Sequence, residues 1–215
     1  MYRNRFFIIK AVTNMHVGSG EQTFSVVDNM VQRDAVTQMP MIQASSLKGA
    51  LRDFALMCRD AGKIDNDFVN RIFGYEGEGA STPGEFRFLQ ANLLALPVRS
   101  NQRPFYLAVT QEIIRDLESL ADVLNVNIAA QTSDAILNDN LAYITDEDVT
   151  DIQVEDFDCQ AAKGSDDIKK LFGYGHIALF NDKTFKQITQ ILPVMARNKL
   201  GKDGTSENQF YLVEI

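Results

Sequence analysis

IQASSLKGALR, residues 42–52, is the stretch on which the fold of this chain turns. Leu47, Ala50, Leu51, Phe54 and Ala55 recur at three- and four-residue spacing, the mark of one apolar helical face. Ser45 and Ser46 stand at the front of that run, and either is a good N-cap. A helix that starts there points free backbone N–H groups and the positive end of its dipole outward. Lys48 and Arg52 are four apart and share one side of it, with the small Gly49 between them. Small residues, free amides, a dipole and two cations together suit a phosphate. An ordinary capped amphipathic helix with solvated charges explains the segment equally well.

Outward from this helix, RFFIIKAVTN (residues 5–14) is aromatic and β-branched and reads as a first strand. HVGSGEQ follows as a glycine-bearing turn, and TFSVVDNMVQR (residues 23–33) is β-prone but interrupted by Asp28 and Asn29. The helix runs on to about Ala61, a short second helix covers 65–73, and the glycine-rich stretch 74–85 reads as a loop. A strand over 105–110 leads into a helix over 111–124, and a further short helix covers 182–190. TDEDVTDIQVEDFD alternates apolar residues with carboxylates, as a half-buried strand does. LPVMARNKL and ENQFYLVEI flank GKDGTS, so 192–215 reads as a β-hairpin. Strands alternating with two long helices predict one α+β domain over 1–215, ferredoxin-like in class.

At 45% hydrophobic and 23% charged, the composition is that of an ordinary globular protein. No apolar run approaches the roughly 18 residues of a membrane span. The start has too short an apolar core for a secretory leader. Cys58 and Cys159 stand far apart without neighbours at metal spacing, which argues against a disulfide framework or zinc site and fits a reducing cytoplasm. The net charge of −8 opposes binding of nucleic acid by general electrostatics. That charge is unevenly placed. Residues 111–180 hold 15 Asp+Glu against 4 Lys+Arg, and the remainder is weakly basic, so a local groove for phosphate is compatible with it.

HVGSG (16–20), VDNMVQR (27–33), Pro40 and ASSLKGALR occur in order. Ile72-Phe73-Gly74, GEFRF (84–88), LPVRS (96–100), LPVMAR (192–197), Asn208 and Phe210-Tyr211 follow. This series resembles the RAMP superfamily of CRISPR-associated proteins, and more narrowly the backbone subunits of type III-B (Cmr) effector complexes. The resemblance implies an RNA-recognition-motif-like core whose copies stack as a filament along a guide RNA, among the other subunits of an effector complex. It implies pairing of guide with target RNA and cleavage of the target at regular intervals. The cutting group it implies is Asp28, with Mg²⁺ or another divalent cation as cofactor; Asp28 would also be the metal ligand. The implied thumb hairpin falls on 192–215, with Met195, Arg197, Phe210 and Tyr211, and 111–180 is then an acidic insertion.

The residues fit that chemistry. RNA carries its own nucleophile, the 2′-OH, so a site chiefly has to splay the backbone for in-line attack and stabilise charge. Mg²⁺ suits a single carboxylate because it keeps most of its waters, although a lone Asp28 also serves as a turn residue or as a general base without metal. His16 is a second catalytic candidate as proton shuttle, or a strand-end contact. Gly18, Gly20, Ser45, Ser46, Lys48, Gly49 and Arg52 are the candidates for gripping the guide backbone, with Arg33 and Arg99 in either a phosphate contact or a structural ion pair. Such contacts position RNA without reading its sequence. The chain departs from the family pattern at Gln90 and at Leu212-Val213, where carboxylates are usual, with Glu214 displaced. It also stops before the glycine-rich loop that closes such domains, so an incomplete domain or one completed by another chain is expected. A catalytically inactive assembly subunit and a binder of phosphorylated metabolites are the alternative functions.

Overall fold

The computed structural model of the chain describes residues 3–20, 27–77, 80–128, 137–162, 166–200 and 205–215. The chain divides into two compact units, one of Ala11–Asn92 with Pro193–Ile215 and one of Met1–Lys10 with Leu93–Leu192; the acidic region 111–180 lies in the second.

In the first unit, β1 (Met41–Ile42) runs into α1 (Ala44–Asp60) and α2 (Asn66–Phe73). β2 (Gly74–Gly77) and β3 (Ala80–Pro83) pair antiparallel, and β4 (Ala91–Asn92) returns to pair with β1. Ala55, Val69 and Phe73 form the core of this unit, with Leu51, Leu56, Ile72 and Phe88 packed on it. Burying Val69 and Phe73 stabilises it by about 1.5–3 kcal/mol each. α1 presents a narrower apolar face than its spacing predicts. α2 packs across Leu51, Ala55 and Leu56, which leaves Ala50 exposed and Phe54 65% exposed on the uncovered side. The glycine-rich stretch is a hairpin rather than a loop. A Cβ on Gly74, whose φ is +90°, would lie 2.8 Å from the carbonyl of Thr82, so the hairpin closes on bare backbone.

The second unit holds β5 (Leu96–Val98), β6 (Tyr106–Thr110), α3 (Gln111–Leu124), β7 (Leu141–Ile144), β8 (Gln153–Val154), β9 (Phe157–Ala161), α4 (Asp166–Phe172), β10 (Ile177–Phe180) and α5 (Asp182–Gln190). Its six strands lie in the order β5-β6-β10-β7-β9-β8. β6–β10 and β7–β9 are parallel and the other pairs antiparallel. All four residues of β10 are buried, as a strand covered on both faces requires. Val109, Ile114, Ile168, Ile177 and Leu179 form the core that joins α3 and α4 to the sheet. α3 starts where the spacing predicts, because the Thr110 hydroxyl accepts from the N–H of Ile113 at 3.1 Å. It stops at Asn125, which takes the left-handed conformation at φ 53°. The acidic stretch alternates as expected, with Ile152 and Val154 buried and Gln153 exposed, but as short strands.

The chain then re-enters the first unit as the expected hairpin, β11 (Val194–Leu200) and β12 (Ser206–Glu214), paired from Val194↔Glu214 to Leu200↔Ser206 with a register shift between Asn198 and Lys199. The first strand expected over 5–14 is not formed. Among the described residues no strand edge pairs with it, and Phe7 and Val12 are 62% and 90% exposed. No helix among the described residues is long and apolar enough to cross a membrane.

Candidate nucleic-acid interface

Residues 28–33 form a ribbon held on three sides. Ser19 N donates to Met30 O at 2.9 Å, Gln32 N to Val17 O at 2.8 Å, and Met41 N to Gln32 O at 3.0 Å. On the remaining side the end of β12 runs parallel, through a bridge of Asn29 with Val213 and through Glu214 N to Asn29 O at 3.0 Å. Asp28 closes the arrangement. Its N–H donates to Leu212 O at 3.1 Å and its Oδ2 accepts from Leu212 N at 2.7 Å. The Asp28 side chain is exposed, and Oδ1 has no partner among the described residues.

Glu214, the residue that the sequence treats as displaced, is the hub. It is 4% exposed, and its carboxylate pairs with Arg33 at 2.5 Å and accepts from Val31 N at 2.9 Å. Its carbonyl accepts from His16 Nδ1 at 2.6 Å, which leaves Nε2 as the unprotonated nitrogen of the neutral ring. That ring lies against Gly18, where an added Cβ would sit 3.0 Å from Nε2. His16 and Arg33 are therefore tied to Glu214, and Asp28 to Leu212, of one strand. Arg33, whose guanidinium also donates to Gln38 O at 3.1 Å, serves an internal ion pair.

α1 begins earlier than the serines predict. Gln43 is the N-cap and makes no side-chain cap bond, so Ser45 and Ser46 lie inside the first turn. The reason is Gln32, whose Oε1 accepts from Gln43 N at 2.9 Å and whose Nε2 donates to Ser46 Oγ at 3.0 Å. Leu47 N makes the first intrahelical bond, so the amides of Ala44, Ser45 and Ser46 have no partner within the helix. No acidic residue stands in that turn. Lys48 and Arg52 have no hydrogen-bond or ion-pair partner among the described residues, and Arg52 is exposed. Nothing lies within 4 Å of a Cβ built on Gly49 or on Gly20, which has φ +82°. The first turn is thus open backbone, and Lys48 and Arg52 follow it in the next two turns as uncommitted cations.

Arg99 belongs to the other unit. Glu155 holds it through Nε at 3.1 Å, Nη2 at 2.7 Å and its own N–H at 2.7 Å. Those hydrogen bonds raise the pKa of its guanidinium further. Met195 and Arg197 are exposed on β11, whereas the side chains of Phe210 and Tyr211 lie outside the described residues. Gln90 is exposed, and its side-chain amide donates to Asn92 Oδ1 at 2.9 Å. Among the described residues no group of three or more His, Cys, Asp or Glu side chains is placed to hold a metal ion. The donor set at Asp28 suits a hydrated divalent cation bound through one oxygen and a substrate phosphate, and does not form a protein cage. Gln32 and Glu214 are the residues that sequence reasoning missed. A buried Glu beside Val213 breaks strand alternation, and Gln32 acts across 14 residues.

The RAMP superfamily matches residues 8–198. The CRISPR system Cmr endoribonuclease Cmr4 of Pyrococcus furiosus is 31% identical over 218 aligned positions, 91% of this chain and 71% of that protein. The CRISPR system CMR subunit Cmr4 of Saccharolobus solfataricus is 32% identical over 157 residues, 64% of this chain. The match spans 49% of that relative, about half its length. In three dimensions the chain is similar to a subunit in the cryo-EM structure of the type III-B Cmr-beta bound to cognate target RNA, with TM-score 0.64 and 20% identity over 94% of this chain and 76% of that one. It is likewise similar to the crystal structure of oligomeric Cmr4 from Pyrococcus furiosus, with TM-score 0.61 and 22% identity over 77% of this chain and 68% of that one. The fold is a RAMP fold. The chain belongs to the RAMP superfamily and, within it, to the Cmr4 family.

Proposed function

We propose that this chain is a backbone subunit of a cytoplasmic type III-B CRISPR effector complex. Copies of it stack as a filament on a guide RNA beside the other subunits, and each cuts complementary target RNA with Asp28. The observation that carries the proposal is the first part of α1, where a first turn with free amides and no acidic residue is followed along the helix by two unpaired cations, Lys48 and Arg52. Such a surface grips a sugar–phosphate chain of any sequence, as a carrier of arbitrary guides must. The Cmr4 relatives, one an endoribonuclease, and the Cmr structure with target RNA support it.

Cleavage needs little more than positioning. Once the target backbone is splayed, its 2′-OH attacks the adjacent phosphorus in line, giving a 2′,3′-cyclic phosphate and a 5′-OH. Asp28 Oδ1 takes the hydroxyl proton, or holds the water that does, while Leu212 N–H fixes the carboxylate through Oδ2. The leaving 5′-oxygen takes its proton from water, or from His16 Nε2 when the ring carries a proton on both nitrogens, Nδ1–H being held by the Glu214 carbonyl. Where the Asp28 carboxylate instead holds Mg²⁺ or another divalent cation, that ion would supply charge stabilisation at the phosphate. A non-cutting assembly subunit is the second possibility, favoured by Gln90 and Leu212-Val213 where carboxylates are usual.

Two variants of the assembled complex test the proposal. Asp28→Asn preserves an acceptor for Leu212 N–H but removes the charge; it should cut at least about 100-fold more slowly with guide retention unchanged. Lys48→Ala with Arg52→Ala should release guide. Equal cutting by Asp28→Asn and wild type removes Asp28 as catalyst, and undiminished guide retention in the double variant removes the α1 site.

A further inference from the structure

The end of the six-stranded sheet where β6 and β10 begin carries aromatic and charged side chains that the proposed cleavage does not use. Leu107 N donates to His176 O at 3.0 Å, which sets the two strand starts side by side. Phe105 and Tyr174, just before them, stack with centroids 5.4 Å apart and planes 10° from parallel. Phe105 remains 38% exposed. His176 stands edge-on to Tyr174 at 5.6 Å and to Tyr106 at 6.0 Å. Asp146, just beyond the end of β7, accepts from His176 Nδ1 at 3.0 Å and from Arg103 Nη2 at 2.9 Å.

The His176 side chain keeps 33% of its surface exposed. With Nδ1–H given to Asp146, the neutral His176 ring presents Nε2 as an acceptor without a partner among the described residues. The Arg103 side chain is 41% exposed and keeps further N–H groups beyond the one Asp146 takes. Beneath them Tyr106 is fully buried, and its hydroxyl makes no hydrogen bond among the described residues although Arg103 and Asp146 lie beside it. If Arg103 turned outward, that hydroxyl would be placed to donate to Asp146, which lowers the cost of releasing the arginine.

We propose that this strand-end cluster binds one unstacked ribonucleotide, its base on the Phe105–Tyr174 pair, its phosphate on Arg103 and its 2′-OH donating to His176 Nε2. Base-on-aromatic stacking tolerates any sequence, and a 2′-OH contact distinguishes RNA from DNA. Asp146 neutralises one cation, and the exposed Glu147 and Asp148 follow it, so the patch repels a continuous backbone and takes a single nucleotide. That the ligand is RNA rests on the function proposed above; the platform geometry stands apart from α1.

The chain has two histidines, His16 and His176, so His176 ring resonances are assignable in the histidine-labelled full-length chain. Titration with a short oligouridylate should shift the His176 ring signals, and the matching deoxy-oligonucleotide should bind several-fold more weakly. Phe105→Leu, which keeps an apolar side chain but removes the stacking face, and Arg103→Gln should each weaken the RNA-induced shift about five-fold or more. Lys48→Ala with Arg52→Ala should leave it in place while guide retention falls. His176 signals unmoved by RNA that the wild-type chain retains overturn the platform and leave the α1 site standing. A shift that survives equally in Phe105→Leu and Arg103→Gln overturns it too.

Discussion

Glu214 shows how much one buried charge organises. Its carboxylate, backbone N–H and carbonyl serve Arg33, Val31, Asn29 and His16 together, so the ribbon that carries Asp28 is positioned from a strand almost 200 residues away. Glu214→Ala should cost about 3–5 kcal/mol in urea unfolding, because the largely buried Arg33 guanidinium loses its carboxylate and Val31 N–H its acceptor. Tyr106 makes the opposite case. Its hydroxyl has no hydrogen bond among the described residues, so Tyr106→Phe should change stability by less than about 1 kcal/mol at neutral pH. Burial pushes the Tyr106 phenol up to about 12 from an ordinary value of 10.0. The folded state therefore holds a proton that the unfolded chain has lost. That stabilisation is complete below pH 10 and declines by about 1.4 kcal/mol per unit as pH rises toward 12. Denaturation between pH 9 and 12 should show Tyr106→Phe flattening that decline. The half-buried Cys159 thiol, pushed up to about 11 by loss of solvent, contributes a remainder from lower pH.

At the scale of elements, α1 has an apolar side that meets α2 and an N-terminal turn left open by Gln32. Gln32 holds Gln43 and Ser46, and no side chain caps the first amides. Lys48 and Arg52, each meeting one phosphate of a single strand, should contribute about 1.4 to the slope of log affinity against log salt. Affinity of Lys48→Ala with Arg52→Ala for RNA, measured across a salt series, should show a slope smaller by that amount. The helix ends elsewhere follow local chemistry: Thr110 and Asn181 cap α3 and α5 through their side chains, and Asn125 ends α3. Those boundaries were legible in the sequence because side chain and partner are three residues apart. The start of α1 was not, because its partner Gln32 lies outside the helix.

At the scale of the molecule, the six-stranded sheet concentrates the fully buried residues, with Tyr106, Ala108, Val109, Ile144, Ile177, Ala178 and Phe180 all at 0% exposure. Amide hydrogen exchange should be slowest over Tyr106–Thr110 and Ile177–Phe180, and fast over residues 3–13, which pair with no strand. The reverse order would contradict the packing. Charge is also a property of the whole chain: the acidic excess lies in 111–180, in the unit that does not contain α1.

The sequence by itself determined the superfamily, the extents of α3 and α5, the β11–β12 hairpin and the cations of α1, because order of motifs, helical spacing and local caps are written within a few residues. It misplaced the first strand, the loop at 74–85 and the start of α1. Only the tertiary structure decided that Arg33 and Arg99 are held by Glu214 and Glu155, that Asp28 is tethered to Leu212, and that Phe105 stacks on Tyr174. Each of those pairs joins residues more than 50 positions apart, and no periodicity in a chain records which distant partner will neutralise a charge or cover a ring.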